Sequence, residues 1–167
     1  KAGKALFGGY WNMLLPKKMQ ISGVSNVVSR GQEGFCDWVS GSFFLVDAAK
    51  FQEVDGFDCA TFLYMEEIIL SYRLRRRGYR VYYTDRAKVV HAHGRTVKST
   101  IGELEGLRKS FASELYFYRA YEGLSAAAAG LARVSFTLFY GLFWCKKTLK
   151  KFFEDVKSLY GKVGKKD

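Results

Sequence analysis

The sequence predicts a mixed α/β unit followed by a helical appendage. Three observations carry that expectation. Between residues 37 and 91, helix start and stop signals alternate with short runs rich in β-branched and aromatic residues. From about Gly102 onward, turn signals thin out and the pattern turns helical. Hydrophobic residues make up 49% of the 167-residue chain, which suits a packed core and excludes a mainly disordered chain.

The elements follow in order. Ser22 to Gly34 is polar and Gly-rich and reads as a loop. Trp38 to Val46 is an apolar run of strand length, broken by Ser40-Gly41-Ser42. Asp47 is a good N-cap for a short helix over Ala48 to Val54, which Gly56 stops. The loop Phe57 to Thr61 leads to a second helix, Leu63 to Arg77. There Ile69, Leu70 and Leu74 recur at helical spacing, Arg75-Arg76-Arg77 complement the C-terminal dipole, and Gly78 caps the end. Tyr79 to Tyr83 and Ala87 to His91 both carry the residue types of strands. The unit over residues 1–100 is thus α/β, and residues 101–167 form a helical tail.

The charge is uneven. The net charge of +11 calls for an anionic partner, whether nucleic acid, lipid headgroups or the diphosphate of an activated substrate. From Lys146 onward eight lysines stand against Glu154, Asp155 and Asp167, although such a run is also an ordinary solvated helix face. Cys36, Cys59 and Cys145 are widely spaced and odd in number, which supports neither a zinc site nor a disulfide framework and fits a reducing, cytoplasmic setting. The chain opens on Lys1 with no signal peptide after it, which suggests a piece of a longer protein.

The candidate chemistry lies at Glu66 and Glu67, adjacent carboxylates in the first turn of the second helix. The helix dipole favours their ionised state there, as a general base requires. Adjacent helical residues point about 100° apart, so at most one of the pair faces a substrate squarely. An acidic first turn is also a common way to start a helix.

The surrounding run, GFDCATFLYMEEIILSYRLRRRGYRVYYTDRAKVVHAHGRT, narrows the choice. Gly56-Phe57-Asp58, Phe62-Leu63-Tyr64, Glu66-Glu67, Leu70, Arg73, Gly78 and Val90-His91 stand in one order and spacing. This segment resembles the C-terminal half of the family 2 glycosyltransferase catalytic domain, in the rhamnosyltransferase-like branch that builds bacterial cell-surface polysaccharides. The upstream stretch Asp37 to Val46 is similar to the family's segment before its short helix. The family often has Gly where this chain has Asp55, and usually Asp at Glu67 and Ile69; a Glu keeps the carboxylate and lengthens its reach by one methylene.

The resemblance implies the C-terminal part of a glycosyltransferase A-type, Rossmann-like domain, the acceptor side of the catalytic unit. It implies an inverting transfer from a nucleotide-diphospho-sugar to a glycan or lipid-linked acceptor, with Glu67 as base and Glu66 as its neighbour. A divalent metal, Mg or Mn, would neutralise the departing diphosphate, its main ligands coming from an N-terminal half with an Asp-X-Asp motif that is absent before Phe57. His91 ends an apolar strand and matches a metal ligand in some relatives; a structural role is equally open to it, and His93 reads as structural. Arg73 and Arg95 are candidates for substrate binding, Arg95 with Thr96 as contacts to phosphate. Trp38, Ser40 and Gly41 are candidates for an acceptor pocket, where Gly permits close approach and Trp can stack on a sugar.

The tail adds a membrane expectation. Leu124 to Cys145 contains one charge, Arg133, and is long enough to cross a bilayer, but a central Arg is costly in lipid. Leu131, Val134, Leu138, Leu142 and Cys145 share a stripe, Tyr140 and Trp144 are interface residues, and Lys146-Lys147-Lys150-Lys151 follow. The pattern predicts a helix lying peripherally in an anionic surface at the cytoplasmic face of the inner membrane, with a single spanning helix or packing on the rest of the enzyme as alternatives. A non-catalytic module for membrane anchoring or nucleic-acid binding is the rival reading. No nucleic acid is expected as a partner, because the basic residues flank an apolar helix and no stacking aromatics interleave with them.

Overall fold

The structure is a computed structural model, and it describes residues 9–11, 13–14, 33–90 and 101–163. These fall into two compact units, one running to Ala126 and the other combining the N-terminal segment with the helix beyond it.

The first unit is mainly helical. Its strands β1 (Gly34–Cys36) and β2 (Val81–Tyr83) pair antiparallel, with Phe35 opposite Tyr82. Helix α1 (Ala48–Glu53) begins as the sequence predicts: Asp47 accepts hydrogen bonds from the N–H groups of Ala49 and Lys50 at 3.0 and 3.1 Å. It ends before Gly56, whose φ of 61° is left-handed and whose N–H returns to the Phe51 carbonyl at 2.9 Å. A Cβ there would stand 3.1 Å from the Phe51 ring, so the position needs glycine for space as well as for φ. Helix α2 (Glu66–Arg76) ends at Gly78, with φ of 86°. Helix α3 (Glu103–Ala120) packs across α2.

Two sequence expectations are corrected. Trp38 to Val46 forms no strand: Ser40 folds its hydroxyl onto the Ser42 N–H at 3.3 Å, and that turn breaks the run. Residues 88–90 are not a strand either. Val89 and Val90 are exposed, and among the described residues no neighbouring backbone pairs with them. The sheet is therefore two short strands, and the described residues hold no parallel, Rossmann-like sheet. The compact unit also extends past the expected boundary at residue 100 and includes α3.

The core of this unit is Met65, Ile69 and Phe117, ringed by Ile68, Tyr72, Tyr116, Tyr118 and Tyr121. Ile69 is fully buried. Replacing Ile69 with Ala removes methyl groups that the surrounding rings cannot fully refill, so a loss of about 2–5 kcal/mol is expected in chemical denaturation.

The second unit centres on α4 (Ala126–Val163), and Tyr10 and Trp11 pack on one of its faces. Tyr10 meets Phe136 edge-on at 5.2 Å, and the Trp11 indole N–H donates to the Ser135 hydroxyl at 2.9 Å. Among the described residues, α4 is the one helix long and apolar enough to cross a membrane.

Candidate active site

The acidic pair is presented by a constrained loop. Asp58 opens it: one carboxylate oxygen accepts the Ala60 N–H at 2.9 Å, and the Asp58 carbonyl accepts the Thr61 hydroxyl at 3.1 Å. The Leu63 carbonyl accepts the buried Ser113 hydroxyl of α3 at 2.8 Å. Tyr64 and Met65 then both take left-handed backbone conformations, φ 66° and 71°. Such residues cost about 1–3 kcal/mol each, and they persist only where their surroundings hold them. Met65 is held because its side chain is buried against Ile69 and Phe117. The sharp turn lets α2 start abruptly at Glu66, with no side chain capping it.

Glu67 is half-buried and faces the Ser40–Ser42 turn. Burial pushes its carboxyl above the ordinary glutamate range, and the neighbouring Glu66 charge adds to the rise; its own N–H and that of Gly41 hydrogen-bond to it and work the other way. Glu66 has one carboxylate oxygen fully buried, with no hydrogen-bond partner among the described residues. The pair thus divides. Glu67 meets an exposed glycine turn, whereas Glu66 turns an oxygen inward.

Gly41 keeps that turn close. A Cβ on it would lie 3.6–3.7 Å from the Glu67 carboxyl atoms, an ordinary contact that displaces water without a clash. Gly41→Ala should therefore change stability by less than about 0.5 kcal/mol while raising the Glu67 pKa further. The acid limb of the pH–rate profile then moves to higher pH, which a kcat/KM profile measures.

Arg73 is bonded within the fold. Its guanidinium donates to Asp58 at 3.1 Å, to the Tyr121 hydroxyl at 2.9 Å and to the Val54 carbonyl at 3.2 Å. These bonds use all three of its nitrogens within the fold, joining α2 to the loop that follows α1 and to the C-terminal end of α3. Asp58 is the centre of this cluster, since the same oxygen also accepts the hydroxyls of Tyr116 at 2.8 Å and Tyr121 at 2.5 Å. Sequence reasoning singled out the Gly-Phe-Asp motif but gave Asp58 no role. The tyrosines that complete its shell lie some sixty positions away in a helix whose aromatic run reads as plain core.

Of the other predicted residues, Trp38 is half-buried, and Ser40 is exposed with its hydroxyl 3.0 Å from that of Ser42. His91, His93, Arg95 and Thr96 lie outside the described residues. Among the described residues no group of three or more His, Cys, Asp or Glu side chains converges as a metal site. Mg²⁺ keeps several waters and is held by one or two carboxylates together with substrate phosphate, so Glu66 and Glu67 would supply only part of such a shell.

A carboxylate with raised pKa, opening on a glycine turn and set on a braced helix start, suits an enzyme that removes a proton from a hydroxyl. The chain belongs to the glycosyltransferases: the family model described as Glycosyltransferase (GlcNAc) matches residues 21–112, more than half of its length. It is 42% identical over 55 residues to the rhamnosyltransferase WbbL of Escherichia coli (strain K12), covering 33% of this chain and 21% of that protein. It is 43% identical over 54 residues to the N-acetylglucosaminyl-diphospho-decaprenol L-rhamnosyltransferase of Mycobacterium tuberculosis (strain ATCC 25618 / H37Rv), covering 32% and 18%. The chain thus aligns with about a fifth of the length of these curated relatives. No solved structure is a significant match to it.

Proposed function

We propose that the complete protein is an inverting glycosyltransferase that moves a sugar, with rhamnose the first candidate, from a nucleotide-diphospho-sugar to a glycan or lipid-linked acceptor in cell-surface polysaccharide synthesis. The observation that carries this reading is the Glu67 carboxyl, raised by burial and set against the exposed Gly41 turn. Glu67 takes the proton from an acceptor hydroxyl as that oxygen attacks the anomeric carbon. The new bond forms on the face opposite the bond to the diphosphate oxygen, which breaks with its electron pair and inverts the centre. Glu67 serves as base because a carboxylate with raised pKa binds the proton more readily than an ordinary one. Trp38, Ser40 and Gly41 border the acceptor, and Arg73 acts by holding α2 in place.

The diphosphate leaves with a charge that a divalent cation, Mg or Mn, would neutralise, with its main ligands outside the residues described here. One relative's printed name specifies an N-acetylglucosaminyl-diphospho-decaprenol acceptor, which supports a lipid-linked acceptor for this protein. Such an acceptor and the apolar helix α4 support a peripheral location at the cytoplasmic face of the inner membrane.

The test is transfer by the complete protein from a panel of nucleotide-diphospho-sugars to a polyprenyl-diphosphate-linked N-acetylglucosamine, with product stereochemistry read by NMR. A product with the donor's anomeric configuration, or no transfer from any donor in the panel, overturns the reading.

A further inference from the structure

Helix α4 has two apolar faces, and among the described residues only one of them is covered. Ala129, Ala132, Phe136, Phe139 and Phe143 are buried, and Tyr10 and Trp11 pack against this face. The other face carries Leu131, Val134, Leu138, Leu142, Leu149 and Phe152–Phe153, each between 53% and 66% exposed. Their spacing of three, four or seven residues makes one continuous stripe. At about 1.5 Å per residue it runs for roughly 33 Å along the helix.

Charge is arranged around that stripe. At about 100° per residue, Arg133 points about 160° away from Leu131, outside the stripe. Lys147 and Lys151 fall on the same side as Arg133, and Lys146 and Lys150 lie between that side and the stripe. All four lysines are exposed. A spanning helix would put Arg133 in hydrocarbon, and its surface would need to be apolar all round. An in-plane helix puts only the stripe in hydrocarbon and leaves Arg133 and the lysines at the headgroups.

We propose that the Leu131–Phe153 stripe of α4 docks in the plane of an anionic phospholipid surface. Leu149, Phe152 and Phe153 enter the acyl boundary, and Lys146, Lys150 and Lys151 meet the phosphate headgroups. The proposal deepens the membrane location given above and rests on it, but it does not depend on the identity of the sugar transferred. Positive flanks beside an exposed apolar stripe fit an anionic lipid surface, because the headgroups complement the lysines while the acyl boundary takes the stripe.

The experiment is sedimentation of the whole chain with vesicles of phosphatidylcholine, alone or mixed with phosphatidylglycerol. Binding is expected only to the mixed vesicles and should weaken as salt rises. Phe152→Ser with Phe153→Ser should weaken it at least about tenfold, with helix content by circular dichroism unchanged. Lys150→Glu with Lys151→Glu should weaken it several-fold and flatten the salt dependence. Oriented circular dichroism should place the helix parallel to the bilayer. Equal binding by the phenylalanine variants overturns the proposal, as does a perpendicular helix. So does a lipid-free dimer, seen by sedimentation equilibrium, that the phenylalanine variants dissolve. Each of these results leaves the transfer assay above unaffected, so failure of docking and failure of the glycosyltransferase reading can be told apart.

Discussion

Glu67→Gln in the complete enzyme is expected to lower kcat by about 10²–10⁴-fold, the usual contribution of a positioned general base. The change is close to isosteric and keeps an oxygen facing the N–H groups of Gly41 and Glu67 that now hydrogen-bond to it. Its effect on stability has the opposite sign. Burial raises the Glu67 pKa above its unfolded value, so its contribution to stability is fully present below the unfolded pKa and is lost as pH rises through the folded pKa. At neutral pH the ionised carboxylate therefore costs the fold something, and the glutamine variant should melt at the same temperature as wild type or higher. A dead enzyme with an undiminished melting temperature separates a catalytic carboxylate from a helix-starting one. Wild-type turnover by the variant would remove Glu67 from the mechanism. Glu66→Gln is the control. Its inward oxygen has no partner among the described residues to lose, so it should cost far less activity than the change at Glu67.

The largest effect on folding is expected at Asp58. Its side chain is 8% exposed, and one oxygen receives Arg73, Tyr116 and Tyr121 together. Asp58→Ala leaves a partly buried guanidinium and two phenol hydroxyls without their acceptor. Removing one partner of a buried ion pair costs about 3–5 kcal/mol, and the lower end applies because Arg73 keeps 26% of its side chain in water. At about 4–8 °C per kcal/mol for a unit of this size, the melting temperature should fall by more than roughly 10 °C. Arg73→Lys should recover little of the guanidinium's role, since one ammonium cannot reach Asp58, Tyr121 and the Val54 carbonyl together.

The same cluster sets two pH limits on stability. Burial by itself would raise the Asp58 pKa; hydrogen bonds from Tyr121, the Ala60 N–H and Tyr116, with the Arg73 charge, reverse this and hold it below the ordinary range. Its contribution is present above the unfolded value of roughly 3.9 and is lost as pH falls through the lower folded value. Tyr121 is pushed up to about 12, by burial and by its bond to Asp58. Its contribution is complete below the unfolded value of roughly 10 and is lost as pH climbs through 12. Denaturation midpoints should decline at both ends, and Tyr121→Phe should reduce the alkaline part of the decline, to which Tyr116 also contributes.

Much of the local structure follows from residues next to one another in the chain. Asp47 starts α1, Gly56 and Gly78 end helices in left-handed turns, and the acidic pair opens α2, because capping and φ preferences act over a few residues. The expected strands at Trp38 to Val46 and at Ala87 to His91 rested on β propensity alone. A strand needs a partner's backbone, and among the described residues only Gly34–Cys36 and Val81–Tyr83 find one.

The site divides in the same way. The order Gly-Phe-Asp, Phe-Leu-Tyr, Glu-Glu in the sequence was enough to indicate a glycosyltransferase and to mark Glu66 and Glu67 as its candidate carboxylates. Three things came only from the tertiary structure. Gly41 lies against the Glu67 carboxyl, Arg73 turns inward to Asp58, and Ser113, Tyr116 and Tyr121 of α3 hold the loop that presents the acidic pair. Each joins residues far apart in the chain through burial, which raises the Glu67 pKa and makes Asp58 need its partners. Burial arises from how α2, α3 and the loops pack together, and no spacing along the sequence encodes it.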